Sequence, residues 1–226
     1  MKSPALTGGA FHFCVMRSTT AALQNNSYKT TISWGETILR RTFLIAPVAA
    51  LALAGCSAKP ILDPSDAQIN ALAATIRSLG DHVDPVEATR AANIAYKYPI
   101  ALAAEYGVED APIAHNRKVN LGKKPRGLCW HWAEDLQARL IQENFETLDV
   151  HRAIANGLNP ILLSHSTALI SAKGDTMYDA IVLDPWRHSG TLFWSKTKED
   201  KRYKWYPRLE ILTERQRRRL AYEGDL

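Results

Sequence analysis

Residues Arg40 to Cys56 divide this chain in two. Arg40-Arg41 is followed by an uncharged, mostly apolar run from Thr42 to Gly55, then by Cys56 and a polar stretch containing Pro60 and Pro64. A basic pair, an apolar run and small residues at its end have the order of an export signal, and the run is too short to cross a bilayer comfortably. The foldable part of the chain begins after it. Residues 1-39 show no sustained period and read as a low-order leader. Residues 40-55 read as a signal peptide, 56-64 as a modified cysteine and tether, and 65-226 as one domain with enough chain for a sizeable core.

This division changes what the charge implies. The 226 residues carry a formal net charge of +5, which invites a polyanionic partner. Five of the 28 Lys and Arg, but only Glu36 of the 23 Asp and Glu, precede Cys56; the remaining 171 residues hold 23 basic and 22 acidic side chains, a net +1. The basicity belongs to the leader, so no nucleic acid is expected as a partner. At 46% hydrophobic and 23% charged, the chain is neither disordered nor a multispan membrane protein. Its three cysteines are too few for a disulfide scaffold or a four-thiolate zinc site.

Leu53-Ala54-Gly55-Cys56 resembles the bacterial lipobox at all four positions. The resemblance implies that Cys56 is acylated, becomes the first mature residue, and anchors the protein in the cell envelope. Ser57 is compatible with outer-membrane sorting, facing the periplasm. Arg40-Arg41-Thr42-Phe43-Leu44 also resembles a twin-arginine export signal, although Leu39 and Ile45 depart from its flanks.

Within 65-226, helices come first and strands later, which predicts an α+β fold. Ser65 with Gln68 forms a capping box, and Gly80 closes the helix begun there. Asp84-Pro85-Val86-Glu87 opens a second helix, broken or kinked at Pro99 and resuming to Gly107. Glu109 to Arg126 reads as a loop. A central helix begins at Cys129, with Trp132, Leu136, Leu140 and Ile141 at helical spacing. Strands are expected at Thr147–Ile154, Ile161–Ala172, Thr176–Asp184, Thr191–Lys196 and Arg202–Tyr206, forming an antiparallel sheet against the helices. A final helix from Arg208 carries Arg215, Arg217, Arg218 and Arg219, read as a solvated face.

If Cys14 leaves with the leader and Cys56 is lipidated, Cys129 is the only free thiol, in a compartment where thiols tend to pair. It stands where a loop meets a helix, and helix-start N–H groups favour an anion there. Downstream, Gly174-Asp175 suits a two-residue type II′ hairpin. That turn pairs Lys173 with Thr176 and Leu169 with Ala180, and sets His165 directly across from Asp184. An aspartate so placed fixes the imidazole's tautomer and leaves its other nitrogen for a thiol. Cys at a helix start, His on one strand and Asp on the next meet the needs of a thiol nucleophile.

Arg126-Gly127-Leu128-Cys129-Trp130-His131-Trp132-Ala133, His165 at a strand, and Leu183-Asp184-Pro185-Trp186 resemble the transglutaminase-like branch of the papain-type cysteine enzymes. The resemblance covers about 123-207. It implies a thiolate attack on an amide carbonyl, an acyl-enzyme, and release to water or an amine. Cys129 becomes the nucleophile, His165 the general base and then acid, and Asp184 the orienting residue. The substrate is a peptide or protein of the envelope; no cofactor is implied. Where the family has a stretch such as Ala-Trp-Asn after its histidine, this chain has Ser166-Thr167-Ala168. Trp130 and Trp186, next to the proposed catalytic residues, are expected to flank the substrate. The Cys129 N–H is a donor for an oxyanion, with Trp130, Asn120 or another side chain as the second. A metal at Cys129 and His131 with His115, His151 or His188 is disfavoured, because i and i+2 point to different helix faces. The rival reading is a non-catalytic envelope lipoprotein that uses this fold as a binding or assembly module.

Overall fold

A computed structural model describes residues 62–224. The expected leader, signal peptide and Cys56 lie outside the described residues. The fold is α+β, as the order of elements predicts. Among the described residues, four α-helices precede a five-stranded antiparallel sheet, and one comes after it.

Helix α1 (Asp66–Arg77) starts at the expected capping box, with Ser65 and Gln68 satisfying each other's backbone N–H groups. Helix α2 (Pro85–Glu105) starts where Asp84 accepts the Val86 and Glu87 N–H groups at 2.8 and 2.9 Å. The sequence predicts that the helix resumes beyond Pro99 toward Gly107, and it runs through the proline to Glu105 with no break. Ala88, Ala91, Ala92, Ala95, Leu102 and Ala103 form one buried face on both sides of Pro99. Packing of that face outweighs the one backbone hydrogen bond that proline removes, a loss of about 3 kcal/mol.

The expected loop from Glu109 to Arg126 contains helix α3 (Pro112–Asn120). Its signal is weak because Ala111 provides no side-chain cap and His115 is its only buried residue. Helix α4 (Cys129–Ile141) buries Trp132, Leu136 and Leu140 as expected, whereas Ile141 is exposed.

Strands β1 (Leu148–Ala155), β2 (His165–Ala172), β3 (Ile181–His188), β4 (Thr191–Lys196) and β5 (Trp205–Pro207) lie in the order β4-β3-β2-β1-β5. Strand β5 crosses to the far edge and pairs with β1. Helix α5 (Arg208–Gly224) continues directly from it. Strand β2 is buried along its whole length. Ala168, Ile170 and Ala172 meet the helical layer, and Leu169 packs against Met177, Val182 and Trp205 on the opposite face.

The β2–β3 register differs from the expected one by two residues. Leu169 pairs with Val182, not Ala180, and Ala168 with Leu183. The connection is not a two-residue turn. After Gly174, Thr176 caps a short 3₁₀ turn, Met177–Asp179, which delays β3. Asp184 therefore lies beyond Thr167 rather than directly opposite His165. Because strand side chains alternate between faces, a slip of two keeps His165 and Asp184 on one face as diagonal neighbours.

Candidate active site

The approach to Cys129 is fixed by a set of buried contacts. Gly127 has φ +122°, and a Cβ there would fall 2.2 Å from His115 Nε2, so only glycine fits. His115 is buried and donates from Nε2 to the Arg126 carbonyl at 2.9 Å. Trp132 Nε1 donates to the Gly127 carbonyl at 2.9 Å. Arg126 bridges to both carboxylate oxygens of Asp135 at 2.8 and 2.9 Å, and the Tyr106 hydroxyl donates to the same carboxylate.

His131 completes the turn from inside the helix. Its Nδ1 accepts the N–H groups of Gly127 and Leu128, both at 3.1 Å. This is half of a capping box, performed by an imidazole. Burial, with Arg126 adding to it, pushes the His131 pKa down to about 4, so the ring is neutral and keeps its acceptor. The pinned turn delivers Cys129 to the first position of α4, where the residue is 9% exposed. The first-turn N–H groups of Cys129 and Trp130 have no acceptor one turn back in the helix.

His165 opens β2 and is buried with Asp184. His165 Nε2 donates to Asp184 Oδ2 at 2.6 Å. This fixes the tautomer, and His165 Nδ1 is left sealed from solvent without a hydrogen-bond partner among the described residues. The imidazole packs against Trp186 at 4.6 Å, Tyr203 at 4.6 Å and Trp205 at 5.4 Å between ring centroids. Burial pulls its pKa down, but the Asp184 carboxylate and the Cys129 side chain reverse this and raise it to about 9. Cys129 is thus one of the side chains that raise the proton affinity of the imidazole. Its Sγ–H is turned to the Ser164 carbonyl at 3.7 Å.

The carboxylate has further support that sequence reasoning missed. Arg187 Nε donates to Asp184 Oδ2 at 2.7 Å, and its other nitrogens reach Asp200. Trp205 Nε1 donates to Asp200 at 2.9 Å. The guanidinium lies between the Phe193 and Tyr203 rings, 3.9 and 4.7 Å from their centroids. Burial raises the Asp184 pKa, but His165 and Arg187 outweigh it and hold the carboxyl below its ordinary value. A charged residue three places along a strand-like run looks solvated in sequence. Here a register irregularity between Asp184 and His188 turns Arg187 back on Asp184.

The two tryptophans expected beside substrate differ in placement. Trp130 is 45% exposed next to Cys129, whereas Trp186 is 4% exposed and packs on the imidazole. Trp186 Nε1 donates to Asn116 at 3.1 Å, so its place suits positioning His165 rather than touching substrate. Asn120 is exposed at the end of α3. The histidines weighed as metal ligands do not converge. His115 bonds to Arg126, His131 caps α4, and His151 reaches Ser171 at 2.8 Å. Among the described residues no group of three or more His, Cys, Asp or Glu could hold a metal ion. The structure pairs His165 with Asp184 and sets Cys129 against the carbonyl of Ser164, the residue before His165. Comparison of the chain with protein-family models, curated proteins and solved structures finds no match.

Proposed function

We propose that the chain is a thiol acyl-transfer enzyme of transglutaminase-like type, acting as a peptidase, amidase or transamidase on envelope peptides or proteins. The observation that supports this best is the buried His165 Nε2–Asp184 pair at 2.6 Å, with the Cys129 thiol on the carbonyl of Ser164, the residue before His165. In this reading His165 Nδ1 takes the thiol proton and the Cys129 thiolate attacks an amide carbonyl. A C–S bond forms, and first-turn N–H groups of α4 stabilise the oxyanion. The imidazolium then protonates the departing amine, and the C–N bond breaks. Water, or a second amine, resolves the thioester with His165 acting as base. Asp184 keeps the ring oriented throughout.

The same reading places the enzyme on the envelope membrane through a lipidated Cys56, outside the described residues. No helix among the described residues is long and apolar enough to cross a membrane.

The test needs no substrate. Cys129 is alkylated with iodoacetamide between pH 5 and 10, in the wild type and in His165→Ala. Cys129 is expected to react at pH 6 at a rate that depends on His165. In His165→Ala that rate should fall at least about tenfold at that pH. Identical profiles would leave Cys129 an ordinary thiol and favour the binding-module reading.

A further inference from the structure

Arg152, on β1, is a half-buried cation whose chemistry nothing in its surroundings uses. Its guanidinium makes three long contacts, all 3.4 Å, to Gln137 Oε1, the Trp130 carbonyl and Ser166 Oγ. These acceptors are neutral, and 3.4 Å lies beyond ordinary N–H···O distances. Its Nε is shut off from solvent and has no hydrogen-bond partner among the described residues. Arg90, Arg126, Arg139 and Arg187 each have a carboxylate within ion-pair distance; Arg152 has none among the described residues.

Burial disfavours its charge and Arg208 adds repulsion, while Glu134, Cys129 and Asp135 only partly offset them. A cation held this way costs stability that one neighbouring carboxylate would restore. Its contacts also fix where it stands. Trp130 is next in sequence to the nucleophile, Ser166 is next to His165, and Cys129 itself feels the charge. A planar guanidinium is the side chain best matched to a carboxylate, which it binds through two parallel hydrogen bonds.

We infer that Arg152 is the substrate-recognition residue of the thiol site and binds a carboxylate next to the amide that Cys129 attacks. The inference rests on the proposed function and narrows it. The substrate carries an acidic group, either a chain-terminal carboxylate or an acidic side chain, beside the bond transferred. The reaction itself is unaltered: the C–N bond breaks, the amine leaves with the proton from His165, and water returns the acyl group as an acid. The carboxylate replaces the neutral acceptors around Arg152 and takes no part in bond making.

Iodoacetate and iodoacetamide test this directly, because they alkylate the same sulfur and differ by a carboxylate. The ratio of their rates at pH 7.5 cancels the intrinsic reactivity of the thiol. It therefore reads Arg152 even if Cys129 proves insensitive to His165 and the enzyme reading fails. The ratio is expected to fall at least about tenfold in Arg152→Gln, the loss of one charge-assisted pair. Arg208→Gln, which removes an exposed cation nearby, should change it by less than about threefold.

Should Arg152→Gln not fold, the wild type answers by protection. N-acetylalanine or N-acetylaspartate α-amide should slow alkylation of Cys129 by iodoacetamide, and N-acetylalanine amide should not. The first two compounds distinguish a chain-terminal from a side-chain carboxylate. An unchanged ratio, an equal fall in both arginine variants, or protection by neither acid would overturn the assignment.

Discussion

At the residue scale, two buried histidines of the site are driven in opposite directions by what each must do. His131 accepts two backbone N–H groups and must stay neutral, with burial holding its pKa near 4. His165 is desolvated as well, but Asp184 and Cys129 raise it to about 9. Both start from an ordinary value of 6.5. The folded chain binds a proton at His131 more weakly than the unfolded chain. That contribution is whole above pH 6.5 and is lost as pH falls from 6.5 to about 4. At His165 the folded chain binds the proton more tightly. Its contribution is whole below pH 6.5 and is lost as pH rises from 6.5 through about 9. Stability to urea is therefore expected to peak near pH 6.5. His131→Asn should flatten the acid limb and His165→Gln the alkaline one; a peak unmoved by either variant would contradict the assigned proton affinities.

At the scale of elements, the features legible in sequence are the local ones. Ser65 with Gln68, and Asp84 with Pro85, announce two helices because their caps lie within one turn of chain. The start of α4 at Cys129 is legible for the same reason, although the residues that shape it are not. Gly127 and His115 are far apart in sequence, and only packing of α3 against the turn reveals that they exclude a Cβ. Gly127→Ala meets both a left-handed φ and a buried ring that cannot retreat. It should cost roughly 2 kcal/mol or more, measured by urea denaturation, and displace the nucleophile. Shaving the ring in Gly127→Ala/His115→Ala should recover only part of this, since the backbone strain remains. The β2–β3 register is misread from sequence because a 3₁₀ turn has no strong sequence signal. The error is harmless to the site because it is even. A slip of one residue would send Asp184 to the opposite face.

For the whole molecule, the sheet sets one partner and the helical layer the other. Strands β2 and β3 carry His165 and Asp184, and helix α4 sets Cys129 against Ser164 at the start of β2. The α+β arrangement is readable from the order of helices and strands. The Arg187–Asp200 support is not, because buried ion pairs look like surface charge until a fold encloses them. The proposed lipid anchor belongs to this scale too. Cys56→Ser is expected to abolish acylation and release the protein into the soluble envelope fraction, read by detergent phase partition and mass spectrometry. Retention at the membrane with unchanged mass would place the mature start elsewhere.

The central claim is that Cys129, His165 and Asp184 form one acyl-transfer device. It is tested most directly by mixing the protein with p-nitrophenyl acetate and measuring nitrophenolate release within the first turnover. The account predicts a burst of one equivalent per chain, with the acetyl group on Cys129 as a hydroxylamine-labile thioester. The burst should vanish in Cys129→Ala and slow by about a hundredfold or more in His165→Ala, the usual worth of a general base. No burst in the wild type, or one that keeps its rate without His165, would contradict it.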